Sequence, residues 1–420
     1  QLRHAALHDA LTGLPNRSVL MARLEEVIVC HQSQDQYQSA LLFLDLDQFK
    51  VINDSLGHLT GDRLLVWVAD KLSQVVRTTD IVARISGDEF VVLLENLDHP
   101  NQATCIAERL LEDLKEPFLM DQREIFITTS IGIVLDFSPY QSAEDLVRDA
   151  DIAMYQAKAS GRANFAIFDP QMRIQVVERM NLSNDLRRAL EYQELLLYYQ
   201  PIVALEQLTI EGFEVLLRWQ HPKLGMISPA QFIPLAEETG LIVSIGNWLL
   251  RTACQQLATW RHQLATAQKL KISLNLSVRQ LQSDTLLDQF NQVLQSTGIP
   301  PEALTLEITE SLLVQNFEAT HQLLSEVQAR GIHISIDDFG TGYSSLSYLH
   351  RLPVDALKID QAFVSYMGQD AKNQTIAESI IALSNVLGLN AIAEGIETID
   401  QLQWLQTHGC EYGQGYLFSR

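Results

Sequence analysis

The stretch 304–338, LTLEITESLLVQNFEATHQLLSEVQARGIHISIDD, decides how the larger part of this chain folds. An apolar run over 304–309 carries Glu307 and meets Glu310 at its end. A helix-favouring segment follows over 317–330, and a second apolar run, 333–338, closes on Asp337 and Asp338. Strand, helix and strand in that order make a parallel crossover unit. Working outward, similar strand-like runs occupy 197–203, 212–219, 271–277, 356–360, 390–394 and 413–418, with helical stretches such as 242–264 between them. Eight strands alternating with helices over about 240 residues predict an α/β, TIM-like (β/α)8 barrel. Residues 204–211 are too few for a parallel crossover. The first two strands should therefore pair antiparallel, which makes the barrel irregular.

Polar residues gather at or near the C-terminal ends of these strands, where barrel enzymes place their chemistry. Glu214 opens EVLLR, with Leu216 and Arg218 on its strand face, and Asn275 faces away from Leu274 and Leu276. Glu307, Glu310, Asp337, Asp338, Lys358, Glu394 and Glu397 follow, and Gln414 begins the last predicted strand. Any one of these carboxylates alone reads equally well as a structural ion pair. Seven converging on one mouth with an Asn and a Lys would repel one another unless cations lie between them. Oxygen-only ligands select hard cations such as Mg²⁺ or Mn²⁺. Two ions bridged by carboxylates suit in-line displacement at phosphorus, so these residue types point to phosphodiester hydrolysis.

The first part of the chain, 1–168, mixes strands and helices less regularly. Strands are expected at 41–44, 81–85, 90–94 and 125–135, and helices at 64–76 and 143–160. The strands 81–85 and 90–94 are joined by a short turn around Ser86–Glu89 and read as a β-hairpin. Alternation puts Asp45 and Asp47 on one strand face. Hairpins and helices on one sheet indicate an α+β domain. A polar helical linker, 169–182, leads into the barrel domain, 183–420.

Composition excludes several function classes. Lys and Arg number 30 against 52 Asp and Glu, a formal net charge of −22 over 420 residues. Such acidity argues against nucleic-acid polymers and anionic membrane surfaces as partners. It leaves small anions possible where a bound metal inverts the local field. Four scattered cysteines without a CxxC pair fit a reducing compartment. No apolar run reaches membrane-spanning length. The chain begins inside the helix-like LRHAALHDAL and stops after YLFSR. The expectation is therefore a cytoplasmic piece of a longer protein, whose missing N-terminal region would carry a sensory domain or membrane anchor.

The ordered motifs EVLLR, LNLS, EITE, DDFGTGYSSL, LKID, AEGIE and GQGYLF resemble the EAL family of cyclic di-GMP phosphodiesterases, from about residue 182 to 420. Val215 replaces the family's Ala, at a side chain that does no chemistry. The resemblance implies that Glu214, Asn275, Glu307 and Asp337 hold one metal ion and that Asp338 helps hold the second. It implies that Lys358 and Glu394 handle the attacking water, Glu394 also serving as a ligand. Glu310 would brace the DFGTGYSSL loop and Glu397 would support the site. Gln200, Arg218 and Gln414 would touch cyclic di-GMP.

The first domain resembles the GGDEF family of diguanylate cyclases over roughly 7–168, through HDALTGLPNR, FLDLD, QFKVINDSLGH, SGDEF and DIAMYQAKASGR. That resemblance implies the palm-like sheet of nucleotide cyclases. Asp45 and Asp88 would share two Mg²⁺ or Mn²⁺ ions over GTP, with Glu89 as a further carboxylate. Gly87 would let the backbone approach phosphate. Asn53 and Asp62 would read guanine, and Lys158 and Arg162 would neutralise phosphates. Arg77 and Asp80, an RxxD pair, match the family's inhibitory product site. Ser86 departs from the usual Gly, and its Cβ strains the turn if φ is positive. Because the cyclase joins two GTP molecules, one from each domain, a homodimer is implied.

Overall fold

The computed structural model describes residues 7–33, 38–120, 123–310, 317–340, 349–365 and 371–419. Residues 341–346 of the DFGTGYSSL motif, the start of LRHAALHDAL and the final Arg420 lie outside these described residues. The chain divides into two compact units, Gln1–Met180 and Asn181–Arg420.

In the first unit the elements run α1 (Arg17–Ser33), β1 (Ala40–Leu46), α2 (Phe49–Leu56), α3 (His58–Val75), β2 (Ile81–Ser86) and β3 (Glu89–Leu94). They continue as α4 (Asn101–Asp113), β4 (Phe118–Met120), β5 (Arg123–Ile125), β6 (Thr129–Val134), α5 (Ala143–Ala159) and β7 (Phe165–Ile167). The main sheet has the order β2-β3-β1-β6-β7. Its central strand β1 is antiparallel to both β3 and β6. Both faces of β1 are buried, and alternation divides its side chains between two cores. Ala40, Leu42, Leu44 and Leu46 pack with Leu64, Val68 and Leu72 of α3 and Ala103, Ala107 and Leu110 of α4. Leu41 and Phe43 pack with Leu20 and Leu24 of α1 and Leu146 and Ala150 of α5. Gly132 lets α5 lie directly on β6, since a Cβ there would stand 1.9 Å from the Ala150 carbonyl oxygen.

The helix α6 (Pro170–Ala189) extends beyond the linker expected from sequence. Within the first unit, its Arg173 pairs with the buried Asp149 of α5.

The second unit begins with the long strands β8 (Leu195–Ala204) and β9 (Thr209–His221), followed by β10 (Gly225–Ile227), α7 (Pro229–Thr239) and α8 (Leu241–Gln263). Then come β11 (Lys271–Asn275), α9 (Val278–Leu281), α10 (Leu286–Thr297), β12 (Leu304–Thr309), α11 (Phe317–Gln328) and β13 (His333–Phe339). The unit ends with β14 (Ala356–Ile359), α12 (Gln361–Ser365), α13 (Ala371–Leu387), β15 (Asn390–Ala393), α14 (Ile399–Thr407) and β16 (Tyr412–Gly413). The sheet order is β10-β9-β11-β12-β13-β14-β15-β16-β8, and a β9–β8 pairing closes the barrel. As the short 204–211 connection requires, β8 is antiparallel to β9, and it is antiparallel to β16 as well. The pairs joining β9 and β11 through β16 in sheet order are all parallel.

Two expected strands are corrected. The run 125–135 is not one strand: β5 pairs with β4, β6 pairs with β1, and 126–128 carries the chain from one sheet to the other. The run 413–418 is strand only through Gly413, so Gln414 follows the last strand instead of opening it. Gly415 is pressed against the Ile396 backbone, where a Cβ would lie 2.3 Å from Ile396 N. Leu417 N–H then donates to the Ile396 carbonyl at 2.9 Å, and Phe418 and Ser419 turn back onto the Gly415 carbonyl at 3.1 and 3.2 Å. The apolar YLF run is a packed turn, with Leu417 and Phe418 against the core.

Candidate active site

The barrel strands bring carboxylates from four different strand regions onto one ammonium. Lys358 on β14 is fully buried. Its Nζ lies 3.1 Å from Glu214 Oε2, 2.8 Å from Glu307 Oε2, 3.1 Å from Asp337 Oδ1 and 2.6 Å from Glu394 Oε1. Burial alone would lower the pKa of this amine, but the four carboxylates hold it well above the ordinary lysine value. Glu214 also accepts from Asn275 Nδ2 at 2.9 Å and from Gln414 Nε2 at 2.6 Å. The same Gln414 amide donates to Glu394 Oε1 at 2.9 Å. Despite its burial, the donors Lys358, Gln414 and Asn275 hold Glu214 below its usual value. Burial and the neighbouring carboxylate of Glu214 push Glu307 well up.

Oxygens of Asp337, Asp338 and Glu394 all lie within 4.8 Å of one another. Burial, then Asp337 and a hydrogen bond with Asp360, raise Asp338 to about 6. Burial and the adjoining carboxylates raise Glu394 to about 7. Asp338 has φ 51, a left-handed conformation that turns its carboxylate out of strand alternation and beside that of Asp337.

Do these residues suit divalent cations? Glu307 Oε1 is buried without a hydrogen-bond partner among the described residues. Glu214, Glu307, Asp337, Asp338 and Glu394 face a single ammonium, so the pocket has an excess of hard oxygen donors. An orphaned oxygen in an under-neutralised cluster is what a hard cation would complete, and the donor set fits Mg²⁺ or Mn²⁺.

The remaining barrel positions differ in placement. Glu310 is buried, and its Oε2 accepts the Gly340 N–H at 3.2 Å, directly before the undescribed part of the DFGTGYSSL motif. Gln200 lies opposite Glu214 in the β8–β9 register. Arg218 is half-buried, donates to the Leu217 carbonyl at 2.9 Å, and places its guanidinium carbon 5.5 Å from the Tyr198 ring centre. Glu397 is exposed, and its backbone N–H donates to Gln401 Oε1 at 2.8 Å. The described ion pairs and hydrogen bonds do not bring its side chain into the cluster.

In the first unit, Asp45, next to last in β1, lies directly opposite Glu89 of β3. Lys158 Nζ lies 2.5 Å from Asp45 Oδ1. Burial and the nearby Asp88 charge raise Asp45 against that pull. Burial likewise raises Asp88. Gly87 has φ 50, and a Cβ there would meet no atom within 4 Å, so the turn leaves open space over its backbone. Ser86 is not among the residues at positive φ, so the strain its Cβ threatened does not arise. Its hydroxyl instead donates to Glu89 Oε2 at 2.6 Å. Asn53 on α2 lies against Gly61 of α3, with its Oδ1 buried and without a partner, while Asp62 is exposed. Arg162 is exposed at φ 61, past the end of α5.

The RxxD pair is not a side-chain ion pair among the described contacts. Asp80 Oδ2 accepts the Arg77 backbone N–H at 2.8 Å and Oδ1 accepts the Glu95 N–H at 3.3 Å, while the Arg77 side chain is exposed.

Two contributors, Asp360 and Arg84, escaped the sequence reading, and a third residue, Asp47, was expected elsewhere. Asp360 bonds Asp338; its signal was the i, i+2 spacing from Lys358. Arg84, two residues ahead of Ser86, donates to the Gly87 carbonyl at 3.0 and 2.7 Å and to Asp9 Oδ1 at 2.8 Å, strapping the turn to the HDALTGLPNR segment. Asp47, expected beside Asp45, lies past the end of β1 and is buried. It accepts from Thr128 and Ser130 hydroxyls at 2.7 and 2.8 Å, a structural use of the carboxylate.

Comparison with known proteins gives concordant matches. The family model of the EAL domain matches residues 183–420, and that of the diguanylate cyclase GGDEF domain matches 6–164. The bifunctional diguanylate cyclase/cyclic di-GMP phosphodiesterase MucR of Pseudomonas aeruginosa is 43% identical over 420 residues, covering 100% of this chain and 61% of that protein. The cyclic di-GMP phosphodiesterase PdeR of Escherichia coli is 37% identical over 420 residues, covering 100% of this chain and 62% of its own length. The chain thus spans about three-fifths of these two curated relatives. The solved PaMucR phosphodiesterase in its c-di-GMP complex matches at TM-score 0.55 and 44% identity, over 57% of this chain and 96% of that one. The Vibrio cholerae LapD S helix-GGDEF-EAL structure matches at TM-score 0.62 over 99% of this chain and 97% of that one; at 20% identity it is a likeness of fold alone.

Proposed function

The chain belongs to the EAL family, with a GGDEF domain ahead of its barrel, and from that premise we propose that the barrel hydrolyses cyclic di-GMP to the linear dinucleotide. The observation carrying this reading is the fully buried Lys358 held by Glu214, Glu307, Asp337 and Glu394, with Asp337, Asp338 and Glu394 oxygens clustered beside it. Glu214, Asn275, Glu307, Asp337, Asp338 and Glu394 would hold two Mg²⁺ or Mn²⁺ ions. Such ions, when bound, lower the pKa of water and stabilise charge on phosphoryl oxygens. Gln414 orients Glu214 and Glu394 through the two hydrogen bonds its Nε2 donates to them. Lys358 keeps its proton and holds the carboxylates in register, while Glu394 accepts a proton from the attacking water. Arg218 meets phosphate with its planar fork. Gln200, across from Glu214, touches the dinucleotide.

For the first domain the reading is GTP binding and condensation of two GTP molecules to cyclic di-GMP across a homodimer. Asp45, Asp88 and Glu89 would take the metal ions, Lys158 and Arg162 the phosphates, and Asn53 and Asp62 the base. The unpartnered Asn53 Oδ1 favours a guanine donor there. The absence of positive φ at Ser86 favours a working turn over a broken one. Arg77, whose guanidinium is free of Asp80, remains available for product inhibition. The alternative is a phosphodiesterase whose first domain only binds GTP and regulates the barrel.

The deciding assay uses Glu214→Ala with GTP and Mg²⁺. Hydrolysis of added cyclic di-GMP should fall by more than about a hundredfold, because a ligand is lost; undiminished turnover would overturn the barrel reading. Cyclic di-GMP should accumulate from GTP in this variant and fail to appear once Asp88→Ala is added. No product at all would leave the regulatory alternative standing.

A further inference from the structure

Residues of β8 and β9 extend the barrel site outward in rows. The antiparallel register sets Gln200 opposite Glu214, Tyr198 opposite Leu216 and Leu196 opposite Arg218. Directly opposed residues send their side chains to the same sheet face, so these six share the face on which Glu214 reaches Lys358. The intervening residues take the other face: Tyr199 packs edge-on against Phe213 and Trp260 at 6.4 and 4.8 Å between ring centres. Along the inner face the environment opens from the buried Glu214 outward. Glu214 is buried, Leu216 and Arg218 are half-buried, and on the facing strand Tyr198 is 48% and Leu196 39% exposed.

An aromatic ring that is nearly half open at the mouth of a carboxylate-lined barrel calls for an explanation. It belongs to none of the barrel's hydrophobic clusters. The Arg218 guanidinium carbon lies over the ring, 5.5 Å from its centre, a cation–π contact that favours this placement of both groups. The Tyr198 row lies two residues beyond the Glu214 row, about 7 Å at the rise of an antiparallel strand. That offset matches a ribose between a phosphate at the carboxylates and its base.

We propose that Tyr198 is a positioning residue for substrate: its ring stacks one purine base of the bound dinucleotide, while Arg218 bridges ring and phosphate. Stacking on an aromatic face needs no hydrogen-bond code and is equally open to any purine. Gln200 lies in the Glu214 row, directly opposite that carboxylate, and meets the sugar-phosphate. The proposal rests on the reading of the barrel as a phosphodiesterase, which supplies the substrate.

The test compares steady-state hydrolysis of cyclic di-GMP by the wild-type chain, Tyr198→Ala and Tyr198→Phe in Mg²⁺. Loss of a stacked base should raise KM on the order of tenfold to a hundredfold in Tyr198→Ala, with kcat within about twofold of wild type because the carboxylates and Lys358 are untouched. Tyr198→Phe should restore KM, since the ring suffices. An unchanged KM in Tyr198→Ala overturns the proposal. So does a KM in Tyr198→Phe as high as in Tyr198→Ala, because the hydroxyl and not the ring would then be at work. A fall in kcat alone also overturns it, because the residue would then serve the architecture of the site. Failure of the underlying reading looks different: the wild-type chain would leave cyclic di-GMP intact.

Discussion

Lys358 concentrates the energetics of the barrel site in one residue. A fully buried ammonium is stable only because carboxylates surround it, and those carboxylates tolerate burial because of it. Removing one member of a buried charge set typically costs about 3–5 kcal/mol, chiefly from the charges left behind. Lys358→Met should therefore destabilise the second unit by at least about 3 kcal/mol in metal-free buffer. Added Mg²⁺ should recover part of that loss by replacing the missing positive charge, as a ligand that binds only the folded state does. Denaturant melts with EDTA and with Mg²⁺ decide the matter; a variant as stable as wild type without metal would refute the charge-balance account. Much of this cluster was legible in the sequence, because each carboxylate stands within or at the end of an apolar run. Its partners were less so. Lys358 was expected only to handle water, yet it joins four strand regions, and Asp360 and Tyr198 acquire their neighbours from register between strands distant in sequence. A one-strand reading carries no register.

Among the elements, α6 shows how a polar helix is held without an apolar stripe at its start. Asp149 of α5 is fully buried and accepts the Tyr140 hydroxyl at 2.5 Å, Arg173 Nε at 2.6 Å and Arg173 Nη2. The hydroxyl and the bidentate guanidinium together satisfy the carboxylate. Burial and the hydrogen bond and charge of Asp149 push the Tyr140 phenol well up, so it stays a donor at ordinary pH. Arg173→Ala should cost the first unit about 1–2 kcal/mol, less than a fully buried pair because the guanidinium is 44% exposed and water can replace part of its contact. Tyr140→Phe combined with Arg173→Ala should cost more than the sum of the single changes, because Asp149 then loses every partner named here. Urea unfolding followed by a probe in the first unit checks this, and strict additivity would contradict the shared-partner picture. Sequence gave no warning of the triad, since Tyr140, Asp149 and Arg173 belong to three separate segments. Nor could it separate strand from turn at 413–418. The apolar letters were right, but Gly415 against Ile396 decided the backbone.

At the scale of the whole molecule, the charge of −22 acts through its distribution. Acidic side chains farther from either site than the Debye length, about 8 Å at physiological salt, contribute little to binding there. The field at each site is set locally: Asp45, Asp88 and Glu89 against Lys158 in the first unit, and five carboxylates against Lys358 in the second. Both fields would repel an anionic guanine nucleotide, and bound divalent ions would reverse them. Chelation with EDTA should therefore weaken GTP binding by the first unit and cyclic di-GMP binding by the second together, and restoring ionic strength with NaCl should rescue neither. Mg²⁺ should rescue both. The arms separate by mutation, because Asp88→Ala should lose the Mg²⁺-dependent gain for GTP alone and Glu214→Ala that for cyclic di-GMP alone. Equilibrium titration of each nucleotide with and without Mg²⁺ reads the four cases. If either nucleotide binds as tightly in EDTA as in Mg²⁺, that site draws its ligand through its donors and its stacking surface, and local charge is not what limits it.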